Sequence, residues 1–181
     1  VGNDNLLIDH CNIRDLSNTT GLPVNTIYAL GTTGFENSNV TISNNEIFNF
    51  WNAATSGNGI FVSTGNTSWN INNNSLYQTN TQTGTGAIVR YGIQVNNTSG
   101  SNFTISDNFI GGTQPNAGGT PWIVNGTVNQ SFIGILLSQN TALNDGVINN
   151  NTISNINWNH GTTANSVIFT GIQTIGSPNT I

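Results

Sequence analysis

One pattern constrains this chain more than any other: a short apolar–amide core that recurs five times without internal gaps. It reads LLIDHCNIRD (6–15), VTISNNEIFN (40–49), WNINNNSLYQ (69–78), FTISDNFIGG (103–112) and VINNNTISN from Val147. Each copy carries an apolar anchor: Ile8, Ile42, Ile71, Ile105 or Ile148. Five residues on comes a second, Ile13, Ile47, Leu76, Ile110 or Ile153. Three residues after the first anchor stand Cys11, Asn45, Asn74, Asn108 and Asn151. A further apolar strand follows in every unit: NTIYAL (25–30), GIFV (59–62), GIQV (92–95), GILL (134–137) and GIQT (171–174). First anchors lie 34, 29, 34 and 43 residues apart, so the core repeats while the connections vary. Fixed strands with variable insertions describe a solenoid whose loops project from the stack.

The side-chain order selects strand over helix. Val40, Ile42 and Ile47 cannot share one helical stripe across the intervening Asn-Asn, but they fit two short strands joined by a tight bend. Asn tolerates the left-handed backbone that such a bend needs. Asn44 is therefore the expected bend residue, with Asn45 turned inward. Stacked at about 4.8 Å, Asn45, Asn74, Asn108 and Asn151 can form an amide ladder. Cys11 takes its first rung and is expected to be buried. Four of the five further strands have Gly directly before the Ile, which marks a left-handed turn or a close backbone approach.

The TISNNEI (41–47), TISDNFI (104–110) and NNNTISN (149–155) runs, with their GI strands, resemble the right-handed parallel β-helix repeat family of pectin-lyase-like architecture. The resemblance is to the Asn-rich type found in secreted and surface proteins. The resemblance covers essentially the whole chain and implies an all-β solenoid of about five coils, residues 1–181 forming a single unit. A two-sheet sandwich of short strands is the alternative, but it has no need of the same Asn at the same offset. Neither end reads as a cap for unpaired strand edges, and Val1-Gly-Asn-Asp-Asn resembles no signal peptide. The chain is accordingly expected to be a stretch of a longer solenoid.

Polarity here comes from 35 Asn and 25 Thr, while charged residues make up 5% and Lys is absent. A formal charge of −5 with only Arg14 and Arg90 offers phosphates nothing to bind, which argues against nucleic acid. No apolar run approaches the roughly 18 residues that cross a bilayer. Cys11 stands alone, so neither an intrachain disulfide nor a thiol-rich metal site follows.

The resemblance implies looking for a polysaccharide lyase or glycoside hydrolase. Lyases of this architecture abstract a proton with Lys or Arg. No matching motif surrounds Arg14 or Arg90, and both read as surface arginines. Hydrolases set two carboxylates roughly 5–10 Å apart. Asp15 and Glu46 lie on neighbouring coils but are offset by three positions, at the outer limit of that range. His10 falls at the bend position and His160 in a loop, without the three or four converging ligands zinc requires. No Asp-rich calcium loop appears. No catalytic residue, cofactor or metal is therefore assigned.

The aromatic residues make a better candidate. Phe48 and Tyr77 share one outward offset on adjacent coils, and Trp122 and Trp158 stand in or beside connections. Exposed on the surface, these four rings would suit the apolar faces of a polysaccharide or cell-surface glycan. The competing reading packs them against the solenoid wall. Residues 112–132 are expected to form the largest excursion and to fold back over a sheet. Sequons at Asn18, Asn39, Asn66 and Asn102 arise readily in such a composition, and Asn39 and Asn102 read as lying inside strands, where a glycan would be awkward. An ice-binding face would need a Thr column, which Thr41, Asn70, Thr104 and Val147 fail to keep. The resulting expectation is a non-catalytic module of an extracellular or cell-surface protein, a stalk, adhesin segment or glycan-binding surface. The alternative is part of a polysaccharide lyase or hydrolase.

Overall fold

A computed structural model of the chain describes residues 2–15, 21–140, 145–159, 169–176 and 179–181, with the backbone alone at residue 179. The first coil holds β1 (Leu7–Asp9), β2 (Asn12–Ile13) and β3 (Asn25–Ala29). The second holds β4 (Asn37–Ser38), β5 (Thr41–Ser43), β6 (Glu46–Phe48) and β7 (Asn58–Val62). In the third come β8 (Asn66–Thr67), β9 (Asn70–Asn72), β10 (Ser75–Tyr77), β11 (Gln82–Gly84) and β12 (Val89–Asn97). The fourth contains β13 (Thr104–Ser106), β14 (Phe109–Ile110), β15 (Trp122–Gly126) and β16 (Ser131–Gln139). The fifth contains β17 (Gly146–Asn149), β18 (Thr152–Ile153), β19 (Ile156–Asn159) and β20 (Phe169–Ile175), followed by β21 (Asn179–Thr180).

These strands stack coil on coil into parallel sheets. Sheet I is β1-β5-β9-β13-β17-β21, sheet II is β2-β6-β10-β14-β18, sheet III is β11-β15-β19 and sheet IV is β3-β7-β12-β16-β20. A two-stranded sheet V joins β4 to β8. Register follows the sequence repeat: Ile8 pairs with Ile42, Ile42 with Ile71, Ile71 with Ile105 and Ile105 with Ile148. Crossovers between parallel strands take the right-handed course that strand twist favours. The chain is a right-handed parallel β-helix.

Two features of the repeat explain why it closes. His10, Asn44, Asn73, Asp107 and Asn150 all sit at the bend between sheets I and II, with φ between 51° and 57°. That left-handed geometry costs Asn and Asp least among residues with a side chain. The Gly of the GI strands answers a close approach. A Cβ on Gly92 would meet the Gly134 carbonyl oxygen at 2.7 Å and Ile110 Cδ1 at 2.9 Å, and one on Gly134 would meet the Gly171 oxygen and Ile153 in the same way. Sheet IV thus packs its backbone directly on the second anchors of sheet II.

The ladder is built as expected and is directional. Asn74 donates through Nδ2 to Asn108 Oδ1 at 3.0 Å and to the Ile42 carbonyl at 2.9 Å, and its backbone N–H also reaches Asn108 Oδ1. Asn45 repeats this pattern with Asn74 and Ile8, and Asn108 with Asn151 and Ile71. Cys11 is exposed, contrary to the expectation of burial. On the first coil its N–H still donates to Asn45 Oδ1, but among the described residues no strand packs beyond β1 and β2.

Three further expectations are corrected. The excursion is shorter than 112–132, because Trp122–Gly126 forms β15 inside sheet III. Only the segment before it, through Pro121, leaves the stack. It folds over sheet II, where Asn116 N–H donates to Ser75 Oγ and Asn155 Nδ2 reaches the carbonyls of residues 117–120. Asn39 and Asn102 lie outside strands, at exposed left-handed corners with φ of 54° and 62°. Arg90 is no surface arginine: it is 2% exposed.

Candidate functional site

The chemistry-bearing side chains gather in two places. On the outer face of sheet II, Arg14, Phe48 and Tyr77 form one column. Phe48 and Tyr77 stack nearly parallel, with ring centroids 4.6 Å apart and planes at 9°, and the Arg14 guanidinium lies 5.4 Å from the Phe48 centroid. The Tyr77 hydroxyl donates to Glu46 Oε2 at 2.8 Å. Burial, together with that carboxylate, raises the phenol's pKa above its ordinary value. In this column, stacking covers the rings: Phe48 is 8% and Tyr77 5% exposed. The expectation that these rings face solvent is therefore corrected, although their column does point outward.

The second cluster lies between sheets III and IV. Arg90, paired with Phe132 in register, places its guanidinium 4.1 Å from the Trp51 ring centroid. Its Nη2 donates to the carbonyls of Asn52 and Ala53 at 2.6 and 3.0 Å, and its Nη1 donates to Gln130 Oε1. The Gln130 amide lies flat against Gly84 and Gly126, neither of which has room for a Cβ. Among the described residues no carboxylate pairs with this buried cation. Burial pushes its pKa down to about 10, so it remains charged throughout the ordinary pH range. Trp51 and Trp122 flank Trp158 edge-on at 6.1 and 6.4 Å, and Phe132 lies 5.0 Å from it. Trp122 is buried and Trp158 half-buried, so the Trp122 ring packs the wall and offers no face to a ligand.

The remaining candidates hold local contacts. Asp9 accepts from Ser43 Oγ at 2.7 Å, Asn44 Nδ2 at 2.8 Å and the adjacent His10 ring nitrogen. Those bonds hold its carboxyl down to about 2, with Ser43 the largest contributor. Glu36 is lowered by the Gly34 N–H. Among the described residues no three His, Cys, Asp or Glu side chains converge as a metal site. His160 and Asn18 lie outside the described residues.

Sequence reasoning missed Arg90 and Gln130, since nothing in the local sequence marks Arg90 as inward. It also missed a second amide ladder, although the signal was present. Asn3, Asn37 and Asn66 each stand five residues before a first anchor, and Asn37 Nδ2 donates to Asn66 Oδ1 at 3.0 Å. A third omission is the outward pair Tyr28 and Phe61 on sheet IV, whose centroids are 5.3 Å apart, with Tyr28 53% exposed. Comparison with family models, curated proteins and solved structures returns no match.

Proposed function

We propose that this chain is a non-catalytic solenoid module of a secreted or cell-surface protein, a stiff stalk or adhesin segment with a glycan-facing side. The observation that carries the reading is the commitment of its reactive groups to structure. Arg90 ties a connection to the core, Glu46 takes the Tyr77 hydroxyl, and Asp9 closes a bend. The ladder amides supply the stiffness. Phe48 and Tyr77 on sheet II, with Trp122 and Trp158 between sheets III and IV, shape the wall of the solenoid, while Tyr28 and Phe61 on sheet IV present the open ring face to a glycan. Sugars suit such a face, since their C–H faces pack on rings and their hydroxyls bond to amides.

A glycan array run beside lyase and reducing-sugar assays on acidic polysaccharides tests this reading. Binding without turnover, weakened by Tyr28→Ala, is the expected result. Turnover that disappears in Arg14→Ala or Glu46→Ala would instead make the chain part of a lyase or hydrolase.

A further inference from the structure

Four asparagines occupy corners of the coil and open Asn-X-Ser/Thr triplets: Asn39-Val-Thr, Asn73-Asn-Ser, Asn102-Phe-Thr and Asn150-Asn-Thr. All four are exposed, and their φ values are 54°, 54°, 62° and 53°. They fall one to a coil through coils two to five, and they alternate sides. Asn39 and Asn102 stand where the chain enters sheet I, Asn73 and Asn150 where it leaves. On each edge the two sites are separated by two strand spacings, roughly 9.6 Å. The intervening rungs hold Ser68 and Asp107, which cannot carry the same substituent. A bulky group on every site would never face another on the adjacent rung.

In a chain with 35 Asn the triplet alone carries nothing; position separates the sites. Asn66 and Asn97 also open triplets, but both are 0% exposed. Their side-chain nitrogens are committed, Asn66 to the Ser63 carbonyl at 2.8 Å and Asn97 to the Asn66 carbonyl at 2.6 Å. Asn96 and Asn125 are exposed but lie within strands, Asn96 paired with Ser138 and Asn125 with both Thr83 and Asn159, and Asn129, which opens Asn129-Gln-Ser, is half-buried between β15 and β16.

We propose that Asn39, Asn73, Asn102 and Asn150 are acceptor sites for N-linked oligosaccharide, giving two alternating rows of glycan along the edges of sheet I. The proposal rests on the secreted or cell-surface reading. The donor is an oligosaccharide carried on a polyprenyl pyrophosphate, transferred by a membrane-bound oligosaccharyltransferase. The carboxamide Nδ2 attacks the anomeric carbon, and a C–N bond forms as the C–O bond to pyrophosphate breaks. The Nδ2 proton passes to a base of the transferase and the polyprenyl pyrophosphate leaves. One N–H remains on each amide, enough to keep the 3.2 Å bond from Asn102 to Ser68 Oγ. Transfer takes place on the extended chain, and folding then discriminates. A glycan on a corner stays in solvent, whereas one on Asn66 or Asn97 would have to enter the core.

The test expresses the full chain behind a secretory leader in yeast. Occupancy is read site by site, by mass spectrometry after enzymatic deglycosylation in ¹⁸O water, on protein from the medium and from microsomes. The expected result is occupancy of the four corners and none of Asn66 or Asn97 in cooperatively folding protein. Asn39→Gln and Asn102→Gln should each remove one glycan from the intact mass. Occupied corners on a chain retained in microsomes support the acceptor sites and count against the secreted reading alone. Empty corners in both fractions overturn the proposal, as does occupancy of Asn66 or Asn97 in folded protein.

Discussion

Asn74 and Asn108 stand one coil apart and share a single acceptor: Asn108 Oδ1 receives both the backbone N–H and the side-chain Nδ2 of Asn74, each at 3.0 Å. Both side chains are fully buried. Each rung therefore satisfies groups on the coils before and after it, and removing one strands partners on both sides.

Asn74→Ala would strip the acceptor from the Asn45 N–H and Nδ2 donors in the core and take the side-chain donor from the Ile42 carbonyl. Leaving buried polar groups unpaired costs about 1–3 kcal/mol each, and shared networks lose more than one pair. A loss of about 2–4 kcal/mol in urea unfolding is expected. Cys11→Ala, at the exposed first rung, should change stability by less than about 0.5 kcal/mol.

Gly92→Ala drives a Cβ against the Gly134 carbonyl and Ile110 and should destabilise by about 1–3 kcal/mol in the same measurement. At Gly171 the nearest atom is Ile153 Cδ1 at 3.9 Å, so Gly171→Ala is expected to be far milder. The contrast separates close approach from intrinsic glycine propensity.

Arg90→Ala removes the one inward cation among the described residues, leaves a cavity beneath Trp51 and takes the donor from the Asn52 carbonyl and Gln130 Oε1, while the Ala53 carbonyl keeps the Thr85 and Gly86 N–H groups. Opening a cavity and orphaning buried acceptors together should cost about 3–5 kcal/mol. Arg90→Met keeps much of the volume and relieves the desolvated charge, so it should cost less than Arg90→Ala. Thermal unfolding of the two variants ranks them.

Asp9 shapes the acid limb of the pH dependence, and Tyr77 with Tyr91 the alkaline limb. The Asp9 carboxyl is held at about 2 in the folded chain against an ordinary value of 3.8, so the unfolded chain binds more protons between those values. Its stabilisation is complete above pH 3.8 and is lost as pH falls through 2. Asp9→Asn should flatten that acid limb. Tyr77 and Tyr91 are raised from 10.0, so the unfolded chain loses protons first and stability falls as pH rises above that value. Tyr77→Phe should soften the alkaline limb, read as melting temperature against pH.

Much of the scaffold was legible because it is set locally. The anchors, the bend at Asn44 and the inward Asn45 follow from alternation and the left-handed tolerance of Asn, and all three recur at fixed offsets. The side chains of the connections were not legible, because their burial depends on what another coil lays over them. Tyr77 points outward by alternation yet is covered by its stack with Phe48 and by the fold of its surroundings. Arg90 is inward only because Trp51 and the carbonyls of the preceding coil receive it. Trp122 looked like part of a loop because sheet III begins only in the third coil, leaving no five-fold repeat to reveal it. Cys11 was misjudged because a rung is buried only when coils pack on both of its sides.

Hydrogen exchange of the side-chain amide protons, followed by NMR, tests the ladder most directly, with the exposed bend residues Asn73 and Asn150 as internal controls. The Nδ2 protons of Asn45, Asn74 and Asn108 should exchange only on global unfolding, while those of Asn73 and Asn150 exchange far faster. Equal, rapid exchange in both sets would contradict the stacked β-helix on which every other claim depends.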